Sequence, residues 1–332
     1  MAQYDVLAIG NAIVDVISRA DDDFLVNNGI IKGAMNLVDA KRAELLYSRM
    51  GQAIETSGGS ASNTAAGIAN LGGKAAFMGK VAADHLGQVF AHDLRGQGVA
   101  YDTRPLEGGA TTARCMIFNT PDGERSMNTY LGACVEFGPE DVEVTKVANS
   151  KVVYFEGYLW DPPRAKQAMR LAAKIAHENG KQVAITLSDS FCVDRYRDEF
   201  LELIRTGTVD IVFSNESELL SLYETPSFET AITAIRNDVR GYACVTCNDK
   251  GSVVTSREET LEVNAYPVDR VIDQTGAGDV YAAGFLYGYT NGLPFIDSAR
   301  LGSICASAII QQVGPRAQFS LRDVGIQAGI IE

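Results

Sequence analysis

Histidine and cysteine, the usual ligands of zinc, are scarce in this sequence. The 332 residues include three histidines and six cysteines, and the cysteines are scattered between positions 115 and 305. This spacing argues against a disulfide scaffold and leaves no four-ligand zinc site. Cys244 and Cys247 form a C-x-x-C, but they lie in an apolar β-branched run, where residues three apart point to opposite faces of a strand. We therefore predict buried thiols rather than a redox or metal motif.

Positive charge and long apolar runs are also lacking. Lys and Arg number 29 against 42 Asp and Glu, which gives a formal net charge of −13. Because nucleic-acid binders carry a basic surface, we expect no nucleic-acid partner. No apolar run approaches the ~20 residues of a membrane span, and the N-terminus lacks the basic start of a signal peptide. We expect a cytoplasmic protein with no membrane partner.

Two widespread nucleotide-binding motifs are absent as well. No G-x-x-x-x-G-K-[ST] occurs, so a P-loop enzyme is excluded. No G-x-G-x-x-G follows the first predicted strand, where Gly10-Asn11-Ala12 stands instead. A dinucleotide-dependent oxidoreductase is therefore disfavoured.

The chain does contain a regular alternation of short apolar runs and helical patterns. This alternation predicts βαβ units and a mostly parallel central sheet covered by helices on both sides, an α/β sandwich of three layers. With 46% hydrophobic and 21% charged residues, the composition fits a packed globule. The predicted strands are 6–9, 75–81, 152–156, 183–186, 211–214 and 243–247, and the main predicted helices are 62–71, 86–97, 163–179, 195–205, 216–223 and 228–239.

Two stretches break this alternation. We interpret them as a small β-sheet lid, inserted discontinuously at about 13–38 and 105–132 into a single domain that spans residues 1–332. The turn Pro121-Asp122-Gly123 marks a hairpin in the second stretch. A lid would exclude water from a transfer reaction. An edge hairpin or a dimer surface is the alternative.

The most informative segment is the turn Thr275-Gly276-Ala277-Gly278-Asp279, which leads directly into an apolar helix pattern. A glycine-rich turn that opens a helix directs unpaired N–H groups and the helix dipole at one point, which predicts a phosphate-sized anion site. We infer that Asp279 orients and deprotonates an attacking hydroxyl; a simple N-cap is the alternative. At a helix N-terminus, this carboxylate is expected to have a low pKa and to be a weak base.

A second glycine-rich segment, Gly58-Gly59-Ser60-Ala61-Ser62-Asn63, lies about 200 residues earlier. In this order and spacing, the two segments resemble the two signatures of the PfkB (ribokinase-like) family of carbohydrate and nucleoside kinases. The resemblance extends from Asp5 to about Arg316, and it implies a ribokinase-like αβα sandwich with ATP as the phosphoryl donor. Ribokinases usually carry Lys where this chain has Ser60, and Gly-Gly-Ser-x-x-Asn is most similar to the adenosine kinases.

The resemblance implies an acceptor site after the first strand. Asn11 and Asp15 would bind sugar hydroxyls, although Asn11 also suits a turn. Gly58 and Gly59 would let the backbone approach the ligand, and Asn63 offers a donor and an acceptor to vicinal hydroxyls. The residues that align with a nucleoside-base pocket, with ordinary core packing as the alternative, are Met35, Leu37 and Tyr158.

The resemblance also implies a donor site. Asn215-Glu216-Ser217-Glu218 matches the family's N-x-x-E motif, in which Asn215 and Glu218 organise Mg²⁺ and its waters; the same pair also suits a helix cap. Asp273 and Thr275 align with residues that bind a monovalent cation such as K⁺ in relatives. Further ATP-site residues implied by the resemblance are Thr246, Asn248, Gly251 and Thr275, with Asn248 in place of the usual Gly. Arg125 from the lid would contact the phosphates, with a plain surface arginine as the alternative. Residues 314–316 would lie beside the adenine.

These features together predict in-line transfer of the ATP γ-phosphoryl to the primary hydroxyl of a nucleoside, with adenosine converted to AMP as the favoured reaction. Asp279 would accept the proton, while the amides of Ala277, Gly278 and Asp279 would bind the developing phosphoryl charge. A PfkB kinase for ribose, fructose or another nucleoside is the near alternative. A noncatalytic nucleoside-binding regulator is the alternative of another class. We expect a monomer, or a homodimer formed through the lid.

Overall fold

Two β-sheets organise the chain in the computed structural model, which describes residues 2–332. Strands and helices are numbered separately in chain order. The strands are β1 (Tyr4–Ile9), β2 (Ile13–Arg19), β3 (Met35–Leu37), β4 (Ala53–Gly58), β5 (Ala75–Met78), β6 (Ala113–Asn119), β7 (Arg125–Tyr130), β8 (Ser150–Glu156), β9 (Gln182–Thr186), β10 (Ile211–Asn215), β11 (Tyr242–Thr246), β12 (Ser252–Thr255) and β13 (Thr260–Val263).

The large sheet has the order β13-β12-β11-β10-β9-β8-β1-β5. The six strands β5, β1, β8, β9, β10 and β11, neighbours in that order, pair in parallel. Strands β12 and β13 extend the sheet beyond β11 as antiparallel strands. Parallel strands buried on both faces need apolar residues at every position. This requirement explains why residues 6–9 form an unbroken buried run. The predicted mostly parallel sheet is confirmed.

Helices cover both faces of this sheet, which confirms the predicted three-layer sandwich. The helices are α1 (Asp22–Asn27), α2 (Ala40–Arg49), α3 (Ser60–Asn70), α4 (His85–Gly96), α5 (Val144–Ala148), α6 (Pro163–Glu178), α7 (Ser190–Arg205), α8 (Glu216–Leu222), α9 (Phe228–Asp238), α10 (Ala277–Thr290), α11 (Phe295–Ile309) and α12 (Leu321–Gln327). In β1, Leu7 and Ile9 point to the layer that contains α6 to α9, while Val6 and Ala8 point to the layer that contains α3, α4 and α10.

The second sheet, called the small sheet below, has the order β3-β7-β6-β2-β4. Its strands come from two separate parts of the chain, 13–58 and 113–130. Helices α1 and α2 pack on it through a small core of their own that includes Leu25, Leu46 and Phe118. Within β2, Val14 and Val16 are buried, whereas Asp15 on the alternate side is only half-buried.

The boundaries of several elements differ from those predicted. Helix α7 begins five residues early because Asp189 caps it, accepting a hydrogen bond from the Cys192 N–H at 2.6 Å. Strands β4, β12 and β13 were not predicted, since their short polar and β-branched stretches carry little periodicity. A bilayer-spanning helix would need more length and apolar character than any helix in residues 2–332 has.

The close packing of α3 against α10 brings the two glycine-rich segments together. Helix α3 consists mostly of small buried residues. A Cβ at Gly67 would lie only 2.7 Å from the Ala283 Cβ of α10, so a larger side chain would push these helices apart. Their N-terminal turns therefore meet at the same place, near the carboxyl ends of β1 and β8.

Candidate active site

The turn before α10 has the geometry of an anion-binding site. Gly276 is its N-cap, with a φ of +79°, and a Cβ at this position would lie 2.8 Å from the Cα of Pro315. Glycine is therefore required both by conformation and by space. The amides of Gly278 and Asp279, in the first helical turn, have no partner within the helix. The Ala277 N–H already donates to the Gln274 carbonyl at 3.2 Å, so its predicted part in phosphate binding is weakened.

The carboxylate of Asp279 is held on both oxygens by α3. Ser60 Oγ donates to Oδ1 at 2.6 Å, and Asn63 Nδ2 donates to Oδ2 at 2.9 Å. The Asn63 side chain thus serves Asp279, rather than being free for substrate hydroxyls as predicted. Ser60 entered the sequence analysis only as a mark of subfamily, and its direct contact with Asp279 was missed.

The pKa of Asp279 departs from the prediction in direction. Burial raises it above its usual value, and the hydrogen bonds from Ser60 and Asn63 together with the charge of Arg316 lower it by less. We predicted a low pKa from the helix dipole alone. That prediction is wrong, because the loss of hydration outweighs the dipole when other elements cover a helix N-terminus. A raised pKa makes Asp279 a better proton acceptor than expected.

Asp15 lies against the other glycine-rich turn. A Cβ at Gly58 would lie 2.5 Å from the Asp15 Cγ, so only glycine leaves room for this carboxylate. Gly59 has a φ of +93°, and a Cβ there would collide with the Asn11 carbonyl. Burial raises the pKa of Asp15 to about 6, with the charges of Arg125 and Arg316 lowering it and that of Asp279 raising it further. Because the charge of Asp279 acts on the pKa of Asp15, the two carboxylates lie in one electrostatic environment.

Glu156, which no sequence pattern singled out, connects Asn11 to the N-terminus of α3. Its Oε1 accepts from Asn11 Nδ2 and its Oε2 from the Ala61 N–H, both at 2.8 Å. The side chain is 1% exposed, and burial raises its pKa to about 7, with the Asp279 charge adding to the shift. A carboxylate that ends an apolar parallel strand was the available signal, since ligands bind at that edge of such sheets.

The residues assigned to a base pocket do not form one in this structure. Met35 and Leu37 are 46% and 58% exposed, because β3 is a three-residue edge strand that pairs only with β7. Tyr158 donates from its hydroxyl to the Ser188 carbonyl at 3.2 Å. A cavity of about 910 Å³ instead lies between the small sheet and the helices, and its lining includes Asp15, Ile17, Ile54, Asn63, Arg125 and Arg316.

Asn215 and Glu218 form a reciprocal cap at the start of α8. Glu218 Oε1 accepts from Asn215 Nδ2 at 2.6 Å, and the Glu218 N–H donates to Asn215 Oδ1 at 2.8 Å. Burial raises the pKa of Glu218 to about 7, and the carboxylates of Asp189 and Asp279 raise it further. Within residues 2–332 no three His, Cys, Asp or Glu side chains are grouped so as to hold a metal by themselves. This acidic but already hydrogen-bonded set fits Mg²⁺ held through water and nucleotide phosphates.

The predicted turn beneath the nucleotide follows β11. Thr246 pairs with Asn215 in the sheet register, which places the turn beside the α8 cap. Asn248 has a φ of +53°, so it takes the left-handed conformation expected of the usual Gly. Gly251, with a φ of +96°, leaves no room for a Cβ, which would lie 2.5 Å from the Ala265 N.

Arg125 of β7 reaches from the small sheet to the loop before α10. Its Nη1 donates to Asp273 Oδ2 at 2.6 Å and also contacts Thr275 Oγ1. Asp273 further accepts from the N–H groups of Thr275 and Gly314, each at 2.9 Å. Although burial opposes it, these donors hold the pKa of Asp273 below its usual value. An oxygen pair filled by N–H donors and a guanidinium does not fit the predicted monovalent cation.

Arg316 makes contacts that the sequence analysis did not predict. The prediction set residues 314–316 beside the donor adenine, and in the structure the Arg316 guanidinium contacts α3 at Asn63 and Ser62 and the end of α4 at Gln97. Burial lowers its pKa to about 10, and it stays charged at neutral pH. Nothing in the local sequence signals this contact, since the partners lie more than two hundred residues away along the chain.

Comparison with known proteins gives this arrangement a family. The model described as pfkB family carbohydrate kinase matches residues 29–321, which is most of the chain. The chain belongs to this family. Family members transfer phosphoryl groups to hydroxyls, so the chain is a phosphotransferase with an alcohol acceptor.

Two solved structures are similar over nearly the full length. Adenosine kinase from Sinorhizobium meliloti is 62% identical, with a TM-score of 0.91, over 98% of this chain and 100% of that one. A probable sugar kinase from Rhizobium etli is 60% identical, with a TM-score of 0.93, over 100% of both chains. Among curated relatives, adenosine kinase of Saccharomyces cerevisiae is 27% identical over 93% of this chain and 95% of its own length. The ribokinase-like fold and the resemblance to adenosine kinases are confirmed.

Proposed function

We propose that this protein transfers the γ-phosphoryl of ATP to the primary hydroxyl of adenosine and releases AMP and ADP. The observation that carries the proposal is the Asp279 carboxylate, held on both oxygens at a helix start with free amides. A second carboxylate, Asp15, shares its electrostatic environment and suits the vicinal hydroxyls of a ribose. The adenosine kinase that is 62% identical supports a nucleoside as the acceptor.

In the proposed reaction Asp279 accepts the proton of the attacking hydroxyl. As the new O–P bond forms, the bond between the γ-phosphorus and the bridging oxygen breaks, and ADP leaves with that electron pair. The amides of Gly278 and Asp279 donate to the transferred phosphoryl oxygens, and the α10 dipole favours their charge. Mg²⁺, held through water near Glu218 and Asn215, would neutralise phosphate charge when bound.

The acceptor is positioned by the two glycine-rich segments. Asp15 accepts from the ribose hydroxyls, and the close backbone at Gly58 and Gly59 lets the sugar approach α3. Glu156 holds Asn11 and the start of α3 together, so both sides of the acceptor site keep one geometry. A deoxy acceptor would leave the Asp15 carboxylate buried without a partner, which disfavours it.

The small sheet acts in this proposal as the discontinuous lid of a single domain. Arg125 connects it to the loop before α10, through Asp273 and Thr275. Closure of the sheet over the acceptor would exclude water and bring Arg125 toward the phosphates. The outer edge of the sheet, with Met35 and Leu37 exposed, is the surface through which a homodimer would form.

Phosphate transfer to a panel of acceptors tests the proposed function. The purified chain is incubated with ATP, Mg²⁺ and adenosine, inosine, ribose or fructose, and both ADP and the phosphorylated product are measured. We expect kcat/KM for adenosine to exceed that for either sugar by about a hundredfold or more, because a site built for the nucleoside loses base contacts with a sugar. Asp279→Asn protein, assayed in parallel, corrects for contaminating kinases.

The alternatives predict other results in the same assay. A preference for ribose or fructose would favour a sugar kinase, the description that the Rhizobium etli relative carries. Binding of adenosine without any phosphate transfer would favour a noncatalytic regulator. Either outcome would overturn adenosine as the substrate.

A further inference from the structure

Arg316 lies close enough to Asp279 for its charge to lower the pKa of that carboxyl, yet it has no role in the proposed reaction. It follows α11 in the C-terminal segment, and its guanidinium donates in three directions. Nε donates to Asn63 Oδ1 at 2.8 Å, Nη2 to Ser62 Oγ at 2.9 Å and Nη1 to Gln97 Oε1 at 2.7 Å. The C-terminal segment is thereby anchored to the start of α3 and the end of α4.

Asn63 connects Arg316 to Asp279. The oxygen of its amide accepts from Arg316, and the nitrogen donates to Asp279 Oδ2 at 2.9 Å. Rotation of the amide by half a turn would exchange these two groups. A guanidinium has no acceptor, so it tolerates only the orientation in which the amide oxygen faces it. In the other orientation, N–H groups would face the guanidinium and an oxygen would face the carboxylate.

We propose that Arg316 is a positioning residue for phosphoryl transfer, which holds the Asn63 amide in the orientation that donates to Asp279. With Ser60 on the other oxygen, the carboxylate is then fixed at both ends. A fixed carboxylate keeps a lone pair directed at the acceptor hydroxyl, which is worth much of the rate in a reaction that depends on alignment. The inference rests on the proposed function, because it concerns the step in which Asp279 accepts a proton.

The charges around Asp279 give Arg316 a second effect. Most of the neighbouring groups are acidic, and Arg316 is the cation whose charge lowers the pKa of Asp279. Without it, the pKa of this carboxylate would rise further. The titratable groups that sense the charge of Asp279 are Asp15 on β2, Tyr154 and Glu156 on β8, Tyr158 after β8, Glu218 on α8 and Arg316 itself.

A double-mutant cycle separates this role from general support of the fold. Kinetics are measured for the wild type, Arg316→Met, Asn63→Ala and the double variant. We expect Arg316→Met to lower kcat by about ten- to a hundredfold with little change in the acceptor KM. In the Asn63→Ala background the same change should lower kcat by less than about threefold, since no amide remains to be oriented. Independent losses that multiply in the double variant would overturn the proposal.

Two further variants separate the hydrogen-bond geometry of Arg316 from its charge and provide a control. Arg316→Lys retains the charge but not the three-way fork, so kcat should fall while the pKa of Asp279 stays near its wild-type value. Arg322→Met is the matched control, because Arg322 is an exposed arginine of α12 whose guanidinium donates to the Glu332 carbonyl at 2.9 Å, outside the candidate site. This control should keep kcat within about twofold of the wild type. A normal kcat in Arg316→Lys would contradict the orientation role.

A titration that needs no turnover distinguishes failure of this inference from failure of the proposed function. The Asp279 carboxylate is followed by ¹³C NMR against pH, with Asp279→Asn to assign its signal. We expect a higher pKa in Arg316→Met than in the wild type. An unchanged pKa would show that Arg316 does not act on Asp279, and would overturn the inference even if the enzyme is active. A wild type that phosphorylates no acceptor would overturn the function while this titration still reports on Arg316.

Discussion

Asp279 combines two properties that a proton acceptor needs: a fixed position and a raised pKa. Hydrogen bonds from Ser60 and Asn63 supply the first, and burial supplies the second. These properties oppose each other, since donors to a carboxylate lower its pKa. The balance in this site leaves the carboxylate ordered without making it a poor base.

Asp279→Asn should lower kcat by a factor on the order of 10²–10⁴, the usual contribution of a positioned acid-base group. The amide keeps the size of the side chain and the anion loop, so ATP affinity should change little. Single-turnover kinetics and nucleotide binding by calorimetry measure the two quantities separately. Asp198→Asn, at an exposed position of α7, is a matched control that should retain full activity. Near-normal turnover in Asp279→Asn would show that another group accepts the proton.

Asp15 should make acceptor binding depend on pH. Its pKa is raised to about 6, so the carboxylate is protonated below that value and ionised above it. Only the ionised form accepts from two hydroxyls, so kcat/KM for the nucleoside should fall about tenfold per unit as the pH drops below 6. Steady-state kinetics between pH 5 and 8 measure this. Asp15→Asn should raise the KM for the acceptor and abolish the fall in kcat/KM below pH 6. A fall that persists in this variant would show that another group titrates there.

Three sets of contacts in the site were found only in the structure: those of Ser60 with Asp279, of Glu156 with Asn11 and Ala61, and of Arg316 with α3. Each joins residues remote in sequence. Arg316 and Asn63 are 253 positions apart, and Glu156 and Ala61 are 95 apart. The predicted residues, in contrast, lie within short motifs whose backbone conformation is local, such as the turn at Gly276. Sequence patterns report local conformation, and these contacts are not local.

Helices α10 and α11 depend on glycine for their packing. A Cβ at Gly284 would lie 2.8 Å from the Cα of Gly302 and 2.8 Å from the Leu301 carbonyl oxygen. Both neighbours are backbone atoms, which cannot move aside as a side chain can. The apolar pattern after Asp279 predicted helix α10, but it did not indicate how closely α10 and α11 approach.

Gly284→Ala should therefore lower the free energy of unfolding by about 1–3 kcal/mol, the usual range for overpacking. Gly96→Ala in α4 is the matched control, because Gly96 is exposed and a Cβ there meets nothing within 4 Å. That change should be neutral or raise stability by up to about 1 kcal/mol. Urea denaturation of both variants measures the difference. Equal stabilities would mean that α10 and α11 can shift apart without loss.

Buried carboxyls give the whole molecule an unusual dependence of stability on pH. Glu156 and Glu218 have pKa values raised to about 7, so the native state holds protons that the unfolded state has already lost. The free energy of unfolding should therefore fall as the pH rises from about 4.5 to 7. Carboxylates whose pKa is lowered, such as Asp84 and Asp93, act below this window and do not mask the fall.

Glu156→Gln should reduce that fall by on the order of 2–3 kcal/mol, because a fully buried group with a pKa near 7 contributes about that much. In Glu156→Gln, the new NH₂ group faces one of the two N–H donors, Asn11 or Ala61, which by itself lowers stability. The comparison therefore uses the change in the free energy of unfolding between the two pH values and not its absolute value. Urea denaturation at pH 4.5 and 7 measures it. Glu178→Gln, at an exposed position at the end of α6, should leave the fall unchanged. A wild-type stability that rises over this window would mean that Glu156 and Glu218 stay ionised.

Arg125 and Arg316 show how the sheets and helices jointly complete the site. Arg125 belongs to the small sheet and contacts the loop before α10, while Arg316 belongs to the C-terminal segment and contacts α3. Both guanidiniums lie near acidic side chains, Arg125 beside Asp273 and Arg316 near Asp15 and Asp279. The chain as a whole has a net charge of −13. Local placement of a few cations therefore counts for more than the total charge.

The sequence by itself determined the alternation of strands and helices, the two glycine-rich turns and the position of Asp279, because hydrophobic periodicity and backbone conformation are set by neighbouring residues. The tertiary structure alone decided which groups surround Asp279 and how far burial raises its pKa. Desolvation depends on everything that covers a group. In this protein the covering residues come from β8, α3 and the C-terminal segment, which only folding brings together.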